Sequence, residues 1–181
     1  MSVVADMQTH FDRLGLPRRF ALDGAAVERQ YLARSRAVHP DYHAAGSSAD
    51  LAASLELSAA VNEAYNTLRD PFARAEYLLT LEGGPSAAGQ KQMPPAFLAE
   101  MLEARERIED ARAGCPDDSR YLADEFGQRY DGLLGEVADK FAAYERLPAD
   151  DPKRAAIRVE IRSLLNAARY VRGLIRDLNA E

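Results

Sequence analysis

The stretch Ala37-Val38-His39-Pro40-Asp41-Tyr42 is the point from which the fold can be read. Proline lacks a backbone N–H, and its ring disfavours the α conformation in the residue before it. A helix arriving from upstream must therefore stop near Val38, leaving His39 and Asp41 on an exposed bend. Upstream is an amphipathic run carrying Arg29, Arg34 and Arg36. Downstream, after the polar loop Gly46-Ser47-Ser48, a second amphipathic run ends in Val61-Asn62-Glu63-Ala64-Tyr65. The expectation is a two-helix hairpin with His-Pro-Asp at its tip.

The flanking elements follow from local signals. Met7, Phe11 and Leu14 recur at i, i+4, i+7, a short helical face within residues 6–16 that Gly15 and Pro17 end. Asp23 is placed to cap the helix that runs into the hinge, from about Gly24 to Val38, with Val27, Tyr31 and Val38 on its core side. Arg34 stands where an apolar residue is expected, its stem free to lie along the core edge. Beyond the hinge, Ser48 or Asp50 can cap a helix from Leu51 to Arg69, with Leu51, Leu55, Ser58, Val61, Tyr65 and Leu68 inward. Asp70-Pro71 caps a short helix, Phe72 to Leu81. Residues 82–93, EGGPSAAGQKQM, hold three glycines and a proline and read as a linker. The second half has no strand alternation and reads as three helices. Pro94-Pro95 opens the first, Asp117 caps a long second, and Asp151-Pro152 starts the third. Gly127, Gly132 and Gly135 each lower helix propensity by ~1 kcal/mol relative to alanine, so the long helix is expected to bend or break there. Ile161, Leu164, Ala168, Val171, Ile175 and Leu178 alternate by three and four, a bundle seam.

Composition narrows the function. The chain has 181 residues, 47% of them hydrophobic, with a formal net charge of −6. That balance argues against general nucleic-acid binding, which needs basic surface. No apolar run approaches the ~20 residues of a membrane span, and the first ten residues lack a signal pattern. One cysteine, Cys115, can form neither an internal disulfide nor a cysteine metal cage. A reducing, cytoplasmic setting is the simplest reading.

Chemistry-bearing residues are few. His39, Asp41 and His43 form an H-x-D-x-H string that could hold a metal and make a metal-dependent enzyme, the weaker alternative, because a flexible loop is a poor rigid cage. Phosphate loops, nucleophile elbows and Cys/His pairings of recognisable spacing are absent. The other reading is a binding surface: a cationic helix leading into a loop with one fixed carboxylate suits an acidic partner. In the second half, Phe97, Met101, Ala104, Ile108 and Ala111 form the natural bundle face of their helix. Leu98 and Leu102 lie about 100° round from it, beside a row of Glu103, Glu106 and Asp110. An apolar pair bordered by carboxylates is what a partner site with a polar rim needs, although the same leucines could simply widen the buried face. Tyr170 lies off the seam of the last helix.

The order and spacing of these segments resemble the J domain, the helical module that partners DnaK-type ATPase chaperones. The resemblance rests on Phe11-Asp12-Arg13-Leu14-Gly15-Leu16, on His39-Pro40-Asp41, and on Val61-Asn62-Glu63-Ala64-Tyr65-Asn66-Thr67-Leu68 followed by Asp70-Pro71. Arg74-Ala75-Glu76-Tyr77-Leu78-Leu79, then Ala96-Phe97-Leu98 opening an acidic helix, extend it over essentially the whole chain to the HscB family, J-domain co-chaperones of iron–sulfur cluster assembly. Neither a Gly/Phe-rich region nor a cysteine zinc repeat follows, unlike in a general DnaJ.

The resemblance implies an all-α, L-shaped protein: a J domain over residues 1–81, a linker over 82–93, and an antiparallel three-helix bundle over 94–181 that binds the scaffold. It implies no catalysis and no cofactor. A lone cysteine also cannot supply the usual cluster ligands. His39, Pro40 and Asp41, with Arg29 and Arg36, are the implied contacts to an HscA/DnaK-type chaperone whose ATPase is stimulated. Leu98, Ala99, Leu102, Glu103, Glu106, Asp110 and Tyr170 are the implied contacts to an IscU-type scaffold. Tyr42 stands where the family usually has lysine, and Ala99 where bacterial relatives often have a larger apolar residue. The absence of an N-terminal cysteine zinc module fits a bacterial protein. A J-domain adaptor for an unrelated client is the alternative within the same fold.

Overall fold

The computed structural model describes residues 8–38, 48–114 and 116–179. Among them are seven α-helices: α1 (His10–Leu14), α2 (Gly24–Ala37), α3 (Ser48–Arg69), α4 (Pro71–Leu81), α5 (Pro95–Ala113), α6 (Pro116–Arg146) and α7 (Lys153–Leu178). The described residues contain no strand. The expected all-α class is the one observed. The chain divides into two compact units, Met1–Leu78 and Leu79–Glu181, with the division inside α4.

In the first unit α1 is shorter than the periodicity predicts. Thr9 is extended and caps it: its hydroxyl accepts from the Asp12 N–H at 3.2 Å, and its own N–H donates to the Asp12 carboxylate at 3.0 Å. This reciprocal box fixes the start at His10. Gly15 ends the helix in the left-handed region at φ 67°, which favours glycine. Phe11 and Leu14 are fully buried. Asp23 caps α2 as expected, its carboxylate accepting from Ala25 N–H at 3.1 Å.

The α2–α3 pair is fastened at two levels. Tyr31 stacks on Tyr65 with ring centroids 4.0 Å apart and donates to Asn62 Oδ1 at 2.9 Å. Nearer the hinge, Ser54 Oγ donates to the Val38 carbonyl at 2.8 Å. The turns of α3 before Ser54 therefore run past the end of α2. Leu51 and Leu55, expected on the core side, are exposed, and Ser54 between them is the buried residue of that stretch. Arg74 is buried too. Its guanidinium donates to the Leu68 carbonyl at 2.7 Å and the Phe20 carbonyl at 2.8 Å, which satisfies a group that would otherwise be costly to bury.

The second unit is a three-helix bundle. Met101, Ala104, Ile108 and Ala111 of α5 pack on Leu122 and Phe126 of α6 and on Val171 and Leu174 of α7. Helix α6 runs unbroken through Gly127, Gly132 and Gly135, so the helix is not interrupted there; packing along α7 outweighs the propensity cost. The seam of α7 is broader than a 3-4 stripe, because Arg162, Leu165, Asn166 and Ala167 are buried with Ile161, Ala168 and Val171, while Leu164 is only half-buried. For Asn166 the cause is a third neighbour. Residues 82–93 hydrogen-bond to α6 and α7 at several points: Tyr144 Oη donates to Glu82 Oε2 at 2.8 Å, Gln90 Nε2 to Ser163 Oγ at 3.0 Å, and Asn166 Nδ2 to the Gln90 carbonyl at 2.6 Å. Arg154 lies over the Tyr144 ring at 3.9 Å.

Candidate functional site

The two candidate surfaces lie on different units. On the first, Arg29 and Arg36 are seven residues apart on α2 and share one face, opposite the buried Val27. Leu32, 44% exposed, lies between them. Arg29 approaches Asp23 at 3.6 Å, a pair exposed enough to be easily exchanged for a partner's carboxylate. Arg34 points elsewhere, its guanidinium close against Gly15. His39, Pro40 and Asp41 lie outside the described residues, as do Tyr42 and His43. No cluster of three metal-ligating side chains occurs among the described residues.

On the second unit, α5 presents four rows. The core row faces α6 and α7. On the α6 side, Glu100 and Arg107 pair with Arg129 and Glu125 in two-pronged ion pairs: Arg129 Nη2 is 2.7 Å from Glu100 Oε2 and Arg107 Nη1 is 2.8 Å from Glu125 Oε1. Hydrogen bonds from these guanidiniums hold both carboxyls below the usual range. On the opposite side, toward α7, lie Leu98, Leu102 and Arg105. The outward row, at i, i+4, i+7, i+11, is Ala99, Glu103, Glu106 and Asp110, all exposed.

Tyr170, seventy-two positions from Leu98 in the chain, comes beside it. Leu98, Leu102 and Tyr170 are 44%, 62% and 43% exposed and line one groove with Met101, Arg105 and Leu174, of about 340 Å³. Phe97 supports it from beneath, its ring meeting Tyr170 edge-on with centroids 5.8 Å apart. The structure thus gathers the three apolar residues and sets the Ala99–Glu103–Glu106 row alongside. Asp110 sits farther along, in a second depression with Arg107, Asp118 and Tyr121. Arg105 was not singled out from the sequence. Its spacing, i+7 from Leu98 and i+3 from Leu102, is the signal that places it in the groove wall.

Comparison with known proteins assigns the family. Residues 93–177 match the model of the HSCB C-terminal oligomerisation domain. The chain is 42% identical over 147 residues to the co-chaperone protein HscB homolog of Burkholderia multivorans, covering 80% of this chain and 78% of that one. The chain belongs to the HscB co-chaperone family. The HscB homolog of Paraburkholderia xenovorans is likewise 42% identical, over 140 residues that cover 74% of this chain and 79% of that one. Chaperone HscB from Vibrio cholerae superposes with a TM-score of 0.78 at 26% identity, over 95% of this chain and 96% of that one. The crystal structure of human co-chaperone protein HscB shares the fold, with a TM-score of 0.81 at 24% identity over 96% and 82% of the two chains. As an HscB-family member the protein is a co-chaperone and not an enzyme. No helix among its described residues is long and apolar enough to cross a membrane.

Proposed function

We propose that this protein is a cytoplasmic co-chaperone of iron–sulfur cluster assembly with one partner for each unit. The bundle, residues 94–181, binds an IscU-type scaffold. The J domain, residues 1–81, brings the scaffold to an HscA/DnaK-type chaperone and stimulates its ATPase, which promotes cluster transfer.

The observation that carries this reading is the groove of Leu98, Leu102 and Tyr170. Large apolar side chains at a helix surface gain most when a partner removes them from water, and a few such anchors dominate an interface. Glu103, Glu106 and Asp110, beside Ala99, supply charge that orients the scaffold and adds more to specificity than to affinity. For the chaperone, Arg29 and Arg36 give α2 a cationic outward face that leads to His39-Pro40-Asp41, and a negatively charged chaperone surface is the complement. Membership of the HscB family supports both assignments.

The test is capture of an IscU-type scaffold by the wild-type protein and by Leu98→Ala/Leu102→Ala/Tyr170→Ala. These side chains are substantially exposed, so the variant keeps its fold, and capture is expected to drop by tenfold or more, roughly the effect of losing one or two hot spots. Equal capture by the variant would show that the scaffold binds elsewhere.

A further inference from the structure

Next to the apolar groove is a second one, of about 390 Å³, whose walls come from three parts of the bundle unit. Lys91 lies at the end of the stretch that covers the first half of α7, Arg105 is on α5, and Arg169 and Arg176 are on α7. One carboxylate, Asp177, shares the lining. Four cations against one anion make this a basic patch on a chain whose net charge is −6. Arg105 and Tyr170 line both grooves, so the two are continuous.

The location follows from the packing of α7. Between Arg158 and Asn166 α7 hydrogen-bonds to residues 82–93, with Asn166 buried beneath Gln90. Beyond that cover the same side of the helix brings Arg169, Tyr170, Gly173, Arg176 and Asp177 to the groove, with Arg176 Nη2 3.4 Å from Asp177 Oδ1. Across the apolar groove the sign reverses, to the Glu103–Glu106 row on the outward face of α5. Leu98, Leu102 and Tyr170 therefore lie between a negative and a positive strip.

We infer that the scaffold segment seated in the apolar groove continues into the basic one through an acidic stretch, with carboxylates against Lys91, Arg105, Arg169 and Arg176. This rests on the scaffold reading above and adds a direction to it. The bound segment is charge-polarised, acidic toward α7 and basic toward the outer face of α5, and the opposite orientation sets like charges against each other.

The experiment measures the Kd of the full-length protein for an IscU-type scaffold at low and high salt. Lys91→Glu/Arg176→Glu reverses two charges that line only the basic groove. Arg120→Glu/Arg146→Glu makes the same change in net charge at exposed sites on α6. The first variant is expected to weaken binding about tenfold at low salt, with most of the difference gone near 0.5 M salt, where screening acts over a few ångströms. The second is expected to bind within about twofold of wild type, as a uniform change in net charge alone would give. Equal weakening by both variants would overturn the inference in favour of general charge steering. If Lys91→Glu/Arg176→Glu bound normally while Leu98→Ala/Leu102→Ala/Tyr170→Ala did not, the acidic stretch would be wrong and the scaffold site right. If neither variant lost affinity, the scaffold reading itself would fail. Inorganic phosphate that bound in the basic groove without competing with the scaffold would also overturn it.

Discussion

The Phe97 ring meets Tyr170 edge-on, its centroid 5.8 Å away and its plane inclined by 75°. On another side of Phe97 the Arg129 guanidinium lies 5.7 Å from the ring centre and is itself held by Glu100. Tyr170 therefore takes its position from α5 and α6 as well as from its own helix. Phe97→Ala should lower stability by about 1–2 kcal/mol, less than for a fully buried phenylalanine, and weaken scaffold capture several-fold although Phe97 itself is half-buried. Phe97→Leu keeps most of the apolar area but loses the edge contact, worth about 0.5–1.5 kcal/mol. Thermal melts beside capture measurements separate the two effects.

The hinge makes a prediction specific to the chaperone. Asp41→Asn is expected to abolish stimulation of an HscA/DnaK-type ATPase while leaving helical content and scaffold capture unchanged. Steady-state ATPase assays with circular dichroism check both halves. Arg29→Glu/Arg36→Glu should weaken stimulation by roughly tenfold at low salt and much less at high salt, as expected for exposed charges.

His10 gives the first unit a dependence on pH. Its ring stacks on Tyr77 with centroids 4.3 Å apart, and its Nδ1 is buried without a hydrogen-bond partner. Burial pushes its pKa below the ordinary histidine value of 6.5; Glu63 opposes this and Arg13 adds to it. Below that value the unfolded chain takes up a proton that the folded chain resists. The contribution of His10 is therefore fully present above about pH 7, falls as the pH drops through 6.5, and levels off below the folded pKa. Melting temperatures between pH 5 and 8 should show this slope, and His10→Phe should remove its share.

Two glycines separate space from propensity. A Cβ on Gly132 of α6 would meet nothing within 4 Å, so Gly132→Ala should stabilise by about 0.5–1 kcal/mol. A Cβ on Gly84 would lie 2.3 Å from Leu79 Cδ1 and 3.0 Å from the Leu79 carbonyl oxygen. Gly84→Ala should destabilise by about 1–3 kcal/mol, the range for overpacking. Urea unfolding of both variants measures the contrast.

The residues that the sequence placed well are those whose environment is local. Asp23 caps α2 and Gly15 ends α1 because each acts on backbone groups within a few positions. Met101, Ala104, Ile108 and Ala111 are buried as a stripe because a 3.6-residue period carries its own geometry. The same period set Leu98 and Leu102 off that stripe. Resemblance to a known family, rather than periodicity, linked Tyr170 to them.

Contacts between distant segments needed the tertiary structure. The burial of Asn166 could not be read from α7, because the chain that covers it, residues 82–93, reads as a linker by composition. The carbonyls that receive Arg74 belong to Leu68 and Phe20, and no local rule names them. The exposure of Leu51 depends on where α2 ends against α3. The basic groove joins Lys91, Arg105 and Arg176 from separate segments. Sequence by itself determined the number and order of the helices, the caps at Asp23 and Gly15 and the apolar stripe of α5, which depend on neighbouring residues. Only the tertiary structure decided which faces are covered and which are left for partners, since that depends on which distant segments pack together.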